Sequence, residues 1–185
     1  MVFGCLLHTE REEYMGSMVS SACPMLINNV MNDPNVAVRD SSAWVLSQIC
    51  AGYLSCIPAD SSTSLIQCLL AALDMVEFRV HDDTQEPRVA QHAAMGLSSI
   101  ADVVSAPPQS EILRPYYHDL LQKLMDCAEK TGAANNQLRE NAAYGLISVI
   151  GCNVVNTDSI LVNFSQFVIM KCQQALVGTG DGGDA

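Results

Sequence analysis

Basic residues are scarce in this 185-residue chain: nine Lys and Arg stand against 20 Asp and Glu, a formal charge of −11. A protein that grips a nucleic-acid backbone or an anionic membrane surface needs a basic face, so those partner classes are disfavoured and cationic partners favoured. Aromatic residues are few as well, 5% of the chain with a single Trp, which makes the position of that Trp informative. No apolar run approaches the roughly 18 residues that a membrane-spanning helix requires. The amino terminus lacks the basic start and small-residue cleavage site of a secretory signal. Cysteine is present but C-x-x-C spacing is not: Cys5, Cys23, Cys50, Cys56, Cys68, Cys127, Cys152 and Cys172 are scattered along apolar segments. Without a secretory signal they read as reduced, mostly buried small hydrophobes of a cytosolic or nuclear protein.

What is there is a helical pattern. Apolar residues make up 49% of the chain and charged ones 16%, enough for a core and too little charge for a disordered chain. They recur with the period of about 3.6 residues that marks one face of a helix. Leu65, Leu69, Ala72, Leu73 and Val76 form one stripe; Tyr116, Leu120, Leu121, Leu124 and Ala128 another; Leu161, Phe164, Val168 and Cys172 a third. No segment alternates cleanly as a half-buried strand. Breakers fall at Asp33-Pro34-Asn35, Pro58 to Asp60, Pro87, Pro107-Pro108, Gly132 and Asn156 to Asp158. The chain therefore reads as all-α, with about seven helices and the end of an eighth at residues 1–7.

Three of the helices superimpose as sequences: Val38 to Ile49, Val89 to Ile100 and Leu138 to Val149. Ala43, Ala94 and Ala143 align, as do Leu46, Leu97 and Leu146, with offsets of 51 and then 49 residues. A helical hairpin cannot bury its apolar face alone, so such units must stack. The expected fold is an α-solenoid spanning 1–177: a half-repeat at 1–8, repeats at about 14–55, 60–105 and 110–153, and a trailing helix at 157–177. Residues 178–185, GTGDGGDA, read as a flexible acidic tail, and their literal match to a dinucleotide-binding glycine motif has no following helix to hold a phosphate. The period slightly exceeds the usual about 40–47 residues of helical-pair repeats. EFRVHDDTQE (77–86) and residues 105–114 account for the excess. His81, Asp82, Asp83 and Glu86 in the first of these have no metal-loop spacing and read as a solvated turn.

The turn Asp33-Pro34-Asn35 followed by Arg39 resembles the structural turn of HEAT repeats, and Arg139 keeps the arginine in the third copy, whereas Ala90 replaces it in the second. The resemblance then becomes more specific. DPNVAVRDSSAW (33–44), SLIQCLLAAL (64–73), EPRVA (86–90), LLQKLMD (120–126) and NNQLRENAAYGLI (135–147) are similar, in order, to successive repeats of the importin-β (karyopherin-β) family. MVFGCLL (1–7) resembles the second helix of a preceding repeat, so the chain reads as a central piece. The resemblance implies a right-handed HEAT superhelix that binds basic cargo, or the importin-α adaptor through its basic helix. It also implies contact with Phe-Gly nucleoporins, with Ran GTPase in the full-length receptor, and a place in cytoplasm, nucleus and nuclear pore. No cofactor is implied.

Helical spacing places Asp40, Trp44, Ser47 and Gln48 together on the polar side of the first aligned helix. A Trp there is either packing folded over its own helix or a platform for aliphatic and cationic side chains. The aligned positions are Met95, with Gln91 and Ser99 around it, and Tyr144, with Glu140. In the importin-β family the second helix of each repeat lines the concave surface, so the resemblance assigns Asp40, Trp44, Gln48, Gln91, Met95, Ser99, Glu140 and Tyr144 to a partner-binding face. Met95 departs from the family, which often has Trp there. Two rival readings are a generic HEAT scaffold such as a phosphatase regulatory subunit, expected to have regular short turns and no inner-face Trp, and a helical enzyme. His8, His81, His92 and His118 form no paired motif, and no nucleophile signature occurs, so enzyme chemistry is not expected.

Overall fold

A computed structural model of the chain describes residues 7, 12–75, 77–78, 85–152, 154 and 158–178. The proposed half-repeat at 1–8 (apart from Leu7), the acidic turn at 81–83 and most of the tail lie outside the described residues. Among the described residues seven α-helices run in order: α1 (Glu12–Asn32), α2 (Val36–Gly52), α3 (Ala59–Ala72), α4 (Arg88–Val103), α5 (Tyr117–Ala128), α6 (Asn136–Gly151) and α7 (Asp158–Gly178). The chain is all-α, as its periodicity requires. Among the described residues the only strand pairing is a two-residue antiparallel ladder, Glu77 opposite Glu86 and Phe78 opposite Gln85. It closes the long turn between α3 and α4, and two residues are too few to show a strand period in sequence.

Each helix starts and stops for local reasons. Asn35 caps α2 by accepting the Ala37 N–H at 2.9 Å, while Asp33 accepts the Asn35 N–H at 2.8 Å. Arg39 then donates back to the Asp33 carbonyl at 2.6 Å, tying the turn to the helix it launches. Gly132, at φ 94°, turns the chain from α5 towards α6 in a conformation that a side chain would strain. On α1 the buried stripe is Met15, Val19, Cys23, Leu26 and Val30, the spacing of a single face. Helices α2 and α4 are buried more broadly, because each is covered by its hairpin partner and by the next repeat.

The packing explains that breadth. Helices pair as α1 with α2, α3 with α4 and α5 with α6; the second helices stack on one another, α2 on α4 on α6, more extensively than the first helices touch. Bonds between repeats reflect the repeat length. Ser98 and Ser148 share a hydrogen bond at 3.0 Å, Asn141 donates to the Gln91 carbonyl at 3.1 Å, and the Cys152 thiol donates to the Ala101 carbonyl at 2.9 Å. Two glycines permit the closest crossings. A Cβ on Gly96 would sit 3.2 Å from Leu69 and 3.5 Å from the Ser47 Cα; one on Gly145 would sit 3.1 Å from Leu124 and 3.7 Å from the Ala94 carbonyl. Gly96 and Gly145 occupy one aligned position, each seated against its own hairpin partner and the preceding second helix.

Six described cysteines, Cys23, Cys50, Cys56, Cys68, Cys127 and Cys152, are free thiols, and all but Cys56 are buried. Burial pushes Cys23 up to about 11 and Cys68 up to about 12, and raises Cys50, which also sits near both. They are protonated core residues with little nucleophilic character.

Candidate partner-binding face

The three aligned helices are neighbours in space, so the eight expected face residues fall along one layer of second helices. None of them is buried. Asp40, Trp44, Gln48, Gln91, Met95 and Ser99 are half-buried, and Glu140 and Tyr144 are exposed. Ser47, expected beside them, is instead buried under the Gly96 crossing, because α4 covers that side of α2. Its hydroxyl bonds back to the Trp44 carbonyl at 2.7 Å. Of the turn residues, Asp33 and Arg39 are half-buried and Pro34 and Arg139 exposed.

Trp44 is neither fully buried nor free of the core. Its ring packs against the hydrophobic core and remains partly open to solvent. Met95 is comparably half-buried, whereas Tyr144 is 60% exposed. Three large, adaptable apolar side chains thus recur at one position on three stacked helices. Gln48, Gln91, Ser99 and Glu140 lie four residues from these positions on the same helices, the spacing of one helix face.

Asp40 is not a free acid. Its Oδ2 pairs with the Arg88 guanidinium at 3.0 Å and its Oδ1 with His92 Nε2 at 3.3 Å. The Oδ1 atom is shut off from solvent, and the His92 contact is too poorly aligned to count as a hydrogen bond on geometry. Burial pushes the carboxyl up, but His92 and the Arg88 guanidinium outweigh it and hold Asp40 below the usual carboxylate range. The amino-terminal end of α4 has no acid in its first turn and already carries the positive end of the helix dipole. Asp40, reaching across from α2, supplies the missing negative charge. In the sequence Arg88 stands only within the string EPRVA and His92 in no paired motif; the structure makes both the partners of Asp40.

Cavities also lie between the helices of the repeats. A cavity of about 360 Å³ lies between α3, the end of α4 and the 3₁₀ segment Gln109–Tyr116, lined mainly by Leu54, Leu65, Ile66, Ile100, Val103 and Ile112. A second, of about 470 Å³, opens between α1 and α2 over Met18, Met25, Val38 and Val45. Among the described residues no group of His, Cys, Asp and Glu could hold a metal ion. No described helix is long and apolar enough to cross a membrane.

The HEAT-repeat family model matches residues 22–53, the second part of α1 with all of α2. Over 176 residues the chain is 22% identical to importin subunit beta-1 of Arabidopsis thaliana, covering 95% of this chain and 20% of that protein. Over 141 residues it is 26% identical to importin subunit beta-1 of Schizosaccharomyces pombe, covering 74% of this chain and 15% of that protein. The chain is thus similar to a segment of importin-β, with a HEAT repeat at its first hairpin. Solved structures carry the same fold: yeast importin-β superimposes with a TM-score of 0.76 at 19% identity over 93% of this chain and 19% of that one. Importin-β crystallised in ammonium sulfate gives 0.72 at 21% identity over 91% and 18%. The chain spans about 15–20% of the length of these relatives.

Proposed function

We propose that this importin-β-type segment binds basic cargo, or the basic helix of an importin-α-type adaptor, as part of a receptor for nuclear import. Such a receptor works between cytoplasm and nucleus and at the nuclear pore. The observation that carries this reading is that Trp44, Met95 and Tyr144 share one aligned position on the stacked helices α2, α4 and α6, where they would form an apolar rail, in a chain with 11 excess acidic charges. Apolar side chains give a partner helix its grip, and the acidic excess favours cationic partners and speeds their approach. Ran would act through other parts of a full-length receptor.

Titration with an arginine-rich amphipathic peptide tests the reading. Affinity should fall steeply as ionic strength rises, because exposed charges are screened beyond about 8 Å at physiological salt. No binding at low salt, or an affinity indifferent to salt, overturns it. A second activity is favoured by the cavity lined by Leu54, Leu65, Ile66, Ile100, Val103 and Ile112. An apolar pocket of that size accepts a phenyl ring, which supports docking of Phe-Gly nucleoporin segments. A generic scaffold would need neither the inner-face Trp nor this charge excess.

A further inference from the structure

We propose that Arg88 occupies the place of a partner's guanidinium, so that the free chain holds its own Asp40 subsite closed. The inference rests on the partner-binding reading above and adds a regulatory step to it. Asp40 is half-buried on the α2 face, one helical turn from Trp44, and only 18% of its side chain is open to solvent. Its ionisation is favoured by the two groups that meet it from α4, the Arg88 guanidinium and His92 Nε2. A carboxylate held charged at the edge of an apolar rail is the feature that would receive an arginine from a basic helix. The structure fills it with an arginine from the neighbouring repeat.

Arg88 is the more easily displaced of the two contacts. Its side chain is 43% exposed against 19% for His92, so it can swing into water without uncovering core. An incoming guanidinium replaces one Arg–carboxylate pair by another while His92 keeps its place. Because Asp40 lies on α2 and Arg88 on α4, the exchange also releases a tie between the first and second repeats. Partner binding and the looseness of that joint are then linked, each favouring the other.

A mutant cycle with the arginine-rich peptide tests this. Arg88→Gln should tighten binding about two- to fivefold, the range set by the modest strength of a partly exposed ion pair. Neutralising a positive charge strengthens binding of any cation, so Arg139→Gln, at an exposed arginine of α6 next to Glu140, is the charge-matched control and should give a smaller gain. In an Asp40→Asn background the gain from Arg88→Gln should shrink to that of the control. Equal gains from Arg88→Gln and Arg139→Gln, or a gain that persists in Asp40→Asn, overturn the inference while leaving the binding reading intact. Absence of binding by the parent and every variant overturns both. The comparison of the two arginine variants keeps Asp40 in place, so it decides the matter even where Asp40→Asn fails to fold.

Discussion

The joint between α2 and α4 and the far side of α6 are built from aligned residues, yet they have opposite exposure. Ala43 and Ala94 are fully buried, whereas their counterpart Ala143 is exposed. Cys50 and Ala101 are buried and Ile150 is exposed; Ser47 is buried, and Ile147, two repeats on, is 68% exposed. The difference is not in the helices themselves. Each second helix has one face for its own hairpin partner and one for the next second helix, and α6 has no such neighbour among the described residues. In a solenoid, burial belongs to the interface between repeats, so one residue type at one position can be core, joint or surface.

The largest expected effect comes from leucines that differ only in this respect. Leu97 is buried, while its counterpart Leu146 is half-buried. Leu97→Ala should cost about 2–5 kcal/mol, and Leu146→Ala roughly half as much, because the cavity it leaves is already partly open to water. Urea unfolding followed by circular dichroism measures both. Equal costs would mean that α6 is as well covered as α4 and would break the comparison at its base.

The aromatic pair sharpens it at the functional level. Trp44 packs on the core and faces solvent at once, so Trp44→Ala should lose about 1–3 kcal/mol of stability, less than the ~3–5 of a fully buried aromatic. It should also weaken the basic helix by roughly thirtyfold, the consequence of removing a contact worth about 2 kcal/mol. Tyr144→Ala should leave stability within about 0.5 kcal/mol and weaken only binding. A Trp44 variant that binds as the parent does removes that residue from the face, whatever its stability.

The comparison also separates what periodicity can show from what it cannot. The helical stripes and the offsets of 51 and 49 residues carried the all-α solenoid, since a 3.6-residue period needs only local sequence. The same stripes placed Ser47 on the polar side, because a helical wheel knows one neighbour and α2 has two. The glycines at 96 and 145, aligned in the repeats, are the sequence signal of those close crossings. The pairing of Asp40 with Arg88 and His92 was hidden for a different reason. It joins non-equivalent positions of successive repeats, so aligning the repeats does not bring those residues together.

The smallest effect concerns the acids at one aligned position on α2 and α6, Asp40 and Glu140. Asp40 ionises more readily in the folded chain than in the unfolded one, where an aspartate has a pKa of about 3.9. Between the two values the unfolded state binds more protons, so stability rises with pH across that window. The contribution of the Asp40 cluster is therefore fully present above about pH 4 and is lost as pH falls through the lower folded-state value. Asp40→Asn should cost about 1 kcal/mol near neutral pH, the upper range for a partly exposed pair, and the gap to the parent should close as the solution is acidified. Glu140 is exposed, and Glu140→Gln should leave unfolding within about 0.5 kcal/mol of the parent across the same range. Denaturant midpoints measured from neutral pH down to pH 3 distinguish the two. If the Asp40→Asn gap stays constant with pH, the charge on Asp40 does not hold α2 to α4, and the joint between the first two repeats rests on apolar packing alone.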